Sequence, residues 1–189
     1  MSVLGPVLAL IGVVVGGALS FIFAFVGESR RERWALRREW RERKLQAYSG
    51  YLADCKRLRD LAQRLAAGVG LDDQAPPLPR SENLEPLAEA NMARSASFET
   101  VSLVGGKDVV EAGRRLNVAL WRLEWFARGF LDDTDTVGWS EAMAGYFAAI
   151  NDFHRCARCD LAVAGEFSPR TAETSPRILY ERDRRLRDC

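Results

Sequence analysis

The residue types best suited to chemistry gather once in this chain, in the string His154-Arg155-Cys156-Ala157-Arg158-Cys159-Asp160. Two thiols at i and i+3 share one helix face, where they could hold a soft metal ion or form a redox pair, with His154 as a further ligand. A closed zinc site needs four ligands. The chain has 1 His and 4 Cys, and no second Cys or His pair to complete such a site. A thioredoxin-like motif sits beside a βαβ pattern, which this sequence lacks. The simpler reading makes Cys156 a small buried residue near Ala149 and Phe153, with Cys159 at the margin. Cys55 would then face the same core, and Cys189 would be a free tail thiol.

Other candidate motifs fail on specific residues. Residues 101–108, Val-Ser-Leu-Val-Gly-Gly-Lys-Asp, resemble a phosphate loop but have Val101 where the first glycine belongs. Asp108, in the place of the Ser or Thr after the lysine, would repel phosphate. Asp133-Thr-Asp135-Thr-Val137-Gly138 imitates the start of a calcium loop, but Val137 at the fifth position and Ala144 at the twelfth supply no carboxylate. A turn that caps helices explains it better. One His gives no specific Ser/His/Asp arrangement, and Glu124, without a paired carboxylate, reads as a surface residue of an amphipathic helix. No cofactor, small molecule or catalytic residue is expected; the candidate metal ligands are His154, Cys156 and Cys159 alone.

The elements that would position these residues are helical throughout. No window shows sustained alternation of period two, so no sheet is expected. Residues 28–67 contain no Pro and only Gly50, which predicts a helix of about 40 residues and about 60 Å. Its second half carries an apolar stripe at Leu45, Tyr48, Leu52, Cys55, Leu58, Ala62 and Leu65. A second helix is predicted over 84–104, with Pro86 in its first turn. Asp108 and Glu111 read as a capping-box start to a third. That helix has the most regular stripe: Val109, Ala112, Leu116, Ala119, Leu123, Phe126 and Phe130. Ser140 is expected to cap a fourth helix over 141–164, with Met143, Phe147, Ile150, Phe153, Ala157 and Leu161 inward. Four helices on short loops predict an antiparallel four-helix bundle over 45–166, and residues 167–189 a disordered tail.

Charge is distributed in blocks that the net value of +1 hides. Residues 28–64 carry 12 basic and 6 acidic groups, 65–169 carry 9 and 16, and 170–189 carry 6 and 4. An acidic body argues against nucleic acid as a partner.

Residues 2–27 contain no charge at all. As a helix they reach about 39 Å, enough to cross a hydrocarbon core of roughly 30 Å. A cleaved signal peptide would begin with a basic stretch and end at a small-residue site, and neither is present. The expectation is an uncleaved single-pass transmembrane helix over 1–27, in the cell membrane. Arg30, Arg31, Arg33, Arg37 and Arg38 follow it at once, so the N-terminus should lie outside and the rest in the cytoplasm, with its thiols reduced. Residues 28–44 form a basic juxtamembrane stalk, a topology determinant with i to i+4 pairs such as Glu39 and Arg43. Gly5, Ala9, Gly12, Gly16, Ser20 and Ala24 recur at helical spacing along the span. Such a small-residue stripe lets helix backbones approach closely. It predicts a homo-oligomer or pairing with another membrane protein within the bilayer.

Arg31-Glu32-Arg33-Trp34 in the stalk, Leu103-Val104-Gly105-Gly106-Lys107-Asp108-Val109-Val110, and Phe153 with Arg158-Cys159-Asp160-Leu161 carry a resemblance. The chain is similar to a set of uncharacterised single-pass proteins from GC-rich bacteria. The resemblance covers most of the body and implies this architecture, with no activity and no functional residues. The function expected is a cytoplasmic helical interaction or scaffold module with coiled-coil character, self-associating through its transmembrane helix. The alternative is a membrane-tethered redox or metal-dependent enzyme using Cys156 and Cys159.

Overall fold

The computed structural model describes residues 4–170, and their side chains from residue 36 onward. The side chains of Gly5, Ala9, Gly12, Gly16, Ser20, Ala24, Arg30, Arg31 and Arg33, and the tail from residue 171, lie outside the described residues. Four helices follow in order: α1 (Leu4–Gly68), α2 (Arg80–Val104), α3 (Lys107–Arg128) and α4 (Thr136–Asp160). There is no strand among the described residues. Among the residues whose side chains are described, no helix is long and apolar enough to cross a membrane; the span expected over 1–27 lies outside them.

The chain divides into two compact units between Arg43 and Lys44. In the first, Leu36 and Trp40 stand exposed. Its polar surface is knitted by i to i+4 pairs, Arg38 with Glu42 at 3.1 Å and Arg43 with Glu39 at 2.6 Å. Arg37 is exposed as well. Each such pair adds only a few tenths of a kcal/mol, about 0.3–0.5, but they favour the helix along a stretch with little to bury.

In the second unit the helices alternate in direction. Tyr48 at the start of the α1 portion meets Asp160 at the end of α4, while Asp72, just past α1, accepts from Trp139 Nε1 at 3.0 Å near the start of α4. Arg115 pairs with Asp152, and Phe126 packs edge-on against Trp139, so α3 and α4 are antiparallel. The described residues thus form a helical bundle. Its core draws Tyr51, Leu58 and Leu65 from α1, Leu87 and Val101 from α2, Leu116 and Leu123 from α3, and Ile150 and Phe153 from α4. Each large apolar side chain contributes about 1.5–3 kcal/mol through the area it removes from water.

Turn chemistry explains how the helices meet. Leu78 donates its N–H to the Arg64 carbonyl at 2.9 Å, and a Cβ on Gly68 would lie 2.2 Å from the Leu78 carbonyl oxygen. Only glycine lets the return loop pass so close to α1. Gly129 ends α3 at φ 75°, in the left-handed region. Arg80 Nε and Nη2 donate to the carbonyls of Ala127 and Phe126 at 2.9 and 3.1 Å, satisfying the end of α3 from the start of α2. The same guanidinium binds Asp133.

Several helix ends differ from the sequence expectations. The second helix begins at Arg80 instead of residue 84, because Arg80 is fixed on α3. Pro86 consequently lies beyond the first turn, inside the helix. Asp108 sits in the first turn of α3 and does not cap it. Gly106 holds the cap position, and its N–H bonds to Asp160 of α4. The fourth helix starts at Thr136 rather than at 141. Asp135, not Ser140, accepts the Gly138 N–H at 2.8 Å. Trp139 is thereby wound into the first turn and buried.

Candidate functional site

Three groupings of side chains in the bundle could do more than fill it. The first is a polar network through the core. Tyr51 Oη donates to Asn117 Oδ1 at 2.7 Å and lies 3.1 Å from the Gly113 carbonyl. Arg94 Nη1 donates to the same Asn117 oxygen, while its Nε and Nη2 reach Asn91 Oδ1 at 3.1 and 2.6 Å. Its guanidinium lies 5.8 Å from the Trp121 ring centroid. Arg94 is only 3% exposed. Among the ion pairs of the described residues it has no carboxylate, so amide oxygens and an indole face stabilise this buried charge. Burial pushes the Tyr51 hydroxyl far above its ordinary value and the Cys55 thiol up to about 12. Both groups are protonated structural members, not acid–base catalysts.

Glu124 corrects a sequence expectation. Read as a surface residue, it is 5% exposed and bonded to Arg128 Nη2 at 2.7 Å. A single turn of α3 supplies both members of the pair, which allows the carboxylate to turn inward.

The second grouping holds the candidate metal ligands. Cys156 is buried and Cys159 exposed, both as free thiols. They line one cleft of about 330 Å³ with Lys107, Asp108, Arg155 and Asp160. His154 is occupied elsewhere: Nδ1 lies 2.8 Å from the Ile150 carbonyl, and the ring stacks on Phe167 with centroids 5.9 Å apart. Burial lowers the His154 pKa and raises that of Cys156, where the Asp152 charge adds to the effect. A nucleophilic or metal-binding thiol needs the opposite shift. Among the described residues, no group of three or more His, Cys, Asp and Glu is placed to hold a metal ion.

Beside this cleft, Asp160 joins three elements. Its Oδ2 accepts from Lys44 Nζ at 2.8 Å and from Tyr48 Oη at 2.5 Å. Burial alone would raise its pKa, but these two hydrogen bonds, the Lys44 charge and the Gly106 N–H hold the carboxyl below the usual range. The acidic position matters because a carboxylate at a helix C-terminus opposes the dipole.

The third grouping was not anticipated. Val118, Trp121 and Trp125 follow one another at spacings of 3 and 4 on the outer side of α3, a second stripe beside the core-facing one. Trp121 and Trp125 are 42% and 48% exposed. With Gly145, Ala148 and Ala149 of α4 they line an open groove of about 580 Å³, mostly apolar. Two ion pairs cross its rim, Arg115 with Asp152 and Arg122 with Glu141. Indoles on one wall against small residues on the other suit bulky apolar side chains better than a reacting substrate. The spacing of the second stripe was the available sequence signal. No family model matches the chain, and no curated protein or solved structure matches it.

Proposed function

We infer that this is a bitopic membrane protein whose helical bundle serves as a cytoplasmic interaction or scaffold module, self-associating through its membrane helix. The observation that carries this reading is the continuity of α1 from Leu4 to Gly68. One unbroken helix joins the uncharged stretch of residues 2–27 to the core of the bundle, with the basic, mutually paired stretch between them. Residues 28–44, as a helix, measure about 25 Å. The arginines from Arg30 to Arg38 would place this side in the cytoplasm. The small residues Gly5, Ala9, Gly12, Gly16, Ser20 and Ala24 would allow two such helices to pack, with the lipid bilayer as the common environment. The groups buried in the body are neutral tyrosines, a neutral thiol, one Arg–Glu pair and an arginine held by amide oxygens, which suits a module that binds rather than reacts.

The test is native mass in a gentle detergent. The full chain should run as an oligomer, and Gly12→Leu with Gly16→Leu should shift it toward monomer. Identical mass for the two proteins would remove self-association through this helix.

A further inference from the structure

An anchor and a stalk leave two features of the body unexplained: the indole-lined groove, and the course of the chain after α4. That course is directed. Phe167 stacks on His154, and Asn151 then grips Arg170 at both backbone groups. Asn151 Nδ2 donates to the Arg170 carbonyl at 2.7 Å, and its Oδ1 accepts the Arg170 N–H at 2.9 Å. The chain therefore runs back along α4 from its C-terminal end as far as Asn151. The groove extends from Asp152 to Glu141, in the same direction.

Residues 171–189 follow. Their large apolar side chains are Ile178, Leu179, Tyr180 and Leu186, set among five arginines between 177 and 187. Leu179 and Leu186 are seven apart, the spacing that places two residues on one helix face. Residues 171–177, extended, span up to about 23 Å. From Asn151 to Gly145, in the middle of the groove, the rise along α4 is about 9 Å. The excess of acidic groups over 65–169 and of basic groups over 170–189 adds attraction between the two.

We propose that residues 178–186 lie in the α3–α4 groove of their own chain, with Leu179 and Leu186 against Trp121 and Trp125. The proposal rests on the reading of the body as an interaction module and makes the tail a regulator of access to it. A short tether supplies an effective concentration of about 1 mM, so a segment affinity near 0.1 mM keeps the groove about nine-tenths occupied. A binding partner presenting a similar basic, apolar helix must displace the tail first.

Hydroxyl-radical footprinting of the full chain in detergent, read at Trp121 and Trp125 by peptide mass spectrometry, tests this with Trp40 as the internal control. Leu179→Glu with Leu186→Glu should raise oxidation of both indoles about threefold and leave Trp40 unchanged. A second variant works from the other side. An added Cβ on Gly145 meets nothing within 4 Å, so Gly145→Leu is compatible with α4 and fills the groove. It should speed tryptic cleavage after Arg177 about threefold as the tail is displaced. Equal indole oxidation in wild type and tail variant overturns the proposal. Protection that disappears on dilution also overturns it, and assigns the groove to a second copy. Neither result touches the membrane reading, which fails separately if the chain is released from membranes by alkaline carbonate.

Discussion

Asp160 and Asn117 are the two residues on which other helices depend most. The Asp160 carboxylate receives Lys44, Tyr48 and the Gly106 N–H, and so ties α1 and α3 to the end of α4. Its folded pKa is below the unfolded one, so its contribution to stability is complete above about pH 4 and is lost as pH falls through the folded value. Asp160→Asn should cost about 1–2 kcal/mol near neutral pH. The difference from wild type should close below about pH 4, read as urea midpoints across pH. A gap of constant size from neutral to acid would contradict this role. Asn117 matters because two donors converge on its one oxygen. Replacing it by Leu leaves the Tyr51 hydroxyl with a single acceptor and Arg94 without its inner one, an expected loss of about 2–4 kcal/mol. Tyr51→Phe removes only a hydroxyl and should cost about 1 kcal/mol. Equal losses in the two variants, by chemical denaturation, would show that the network is not organised around Asn117. Arg94 and Glu124 were illegible in the sequence for one reason. A charge is read as outward unless its partner is known, and their partners lie on another helix or depend on a rotamer.

At the level of the helices, periodicity was the most legible signal. The α3 stripe anticipated Val109, Ala112, Leu116, Leu123 and Phe126, all of them buried. It failed at Phe130, which lies past the left-handed Gly129 and is exposed. It also missed Leu120 and Ala127, because a helix covered on two sides buries a wider arc than one stripe. Helix starts were legible only where the cap is local. Asp135 could have been read from its own loop, whereas the carboxylate at the start of α3 comes from Asp160, 54 residues downstream of Gly106. Gly129 gives the direct test of loop geometry. Its φ of 75° is strained for any other residue, and a Cβ there would lie 2.6 Å from Arg80 Nη1. Gly129→Ala should therefore cost about 1–3 kcal/mol. If it leaves the thermal midpoint unchanged, the Arg80 cap on α3 is not as tight as described.

For the whole molecule, the proposed function assigns the uncharged start of the chain to a bilayer and the blocks of charge to a stalk and a body. The groove adds what the blocks could not show, since Trp121 and Trp125 come from α3 and the small residues facing them from α4. Only the fold brings the two together. The same holds for Asn151 and Arg170, 19 residues apart and joined by two hydrogen bonds. Membrane anchoring with the body in the cytoplasm is the claim on which the rest depends. Cys159, an exposed thiol of the bundle, reports on it directly. The measurement is labelling of Cys159 with a membrane-impermeant maleimide, in intact cells and in membranes pelleted after lysis, resolved by peptide mass spectrometry. The account predicts that Cys159 stays unlabelled in intact cells and is labelled in the pelleted membranes once they are opened. Labelling in intact cells, or recovery of the chain in the supernatant instead of the pellet, would contradict it.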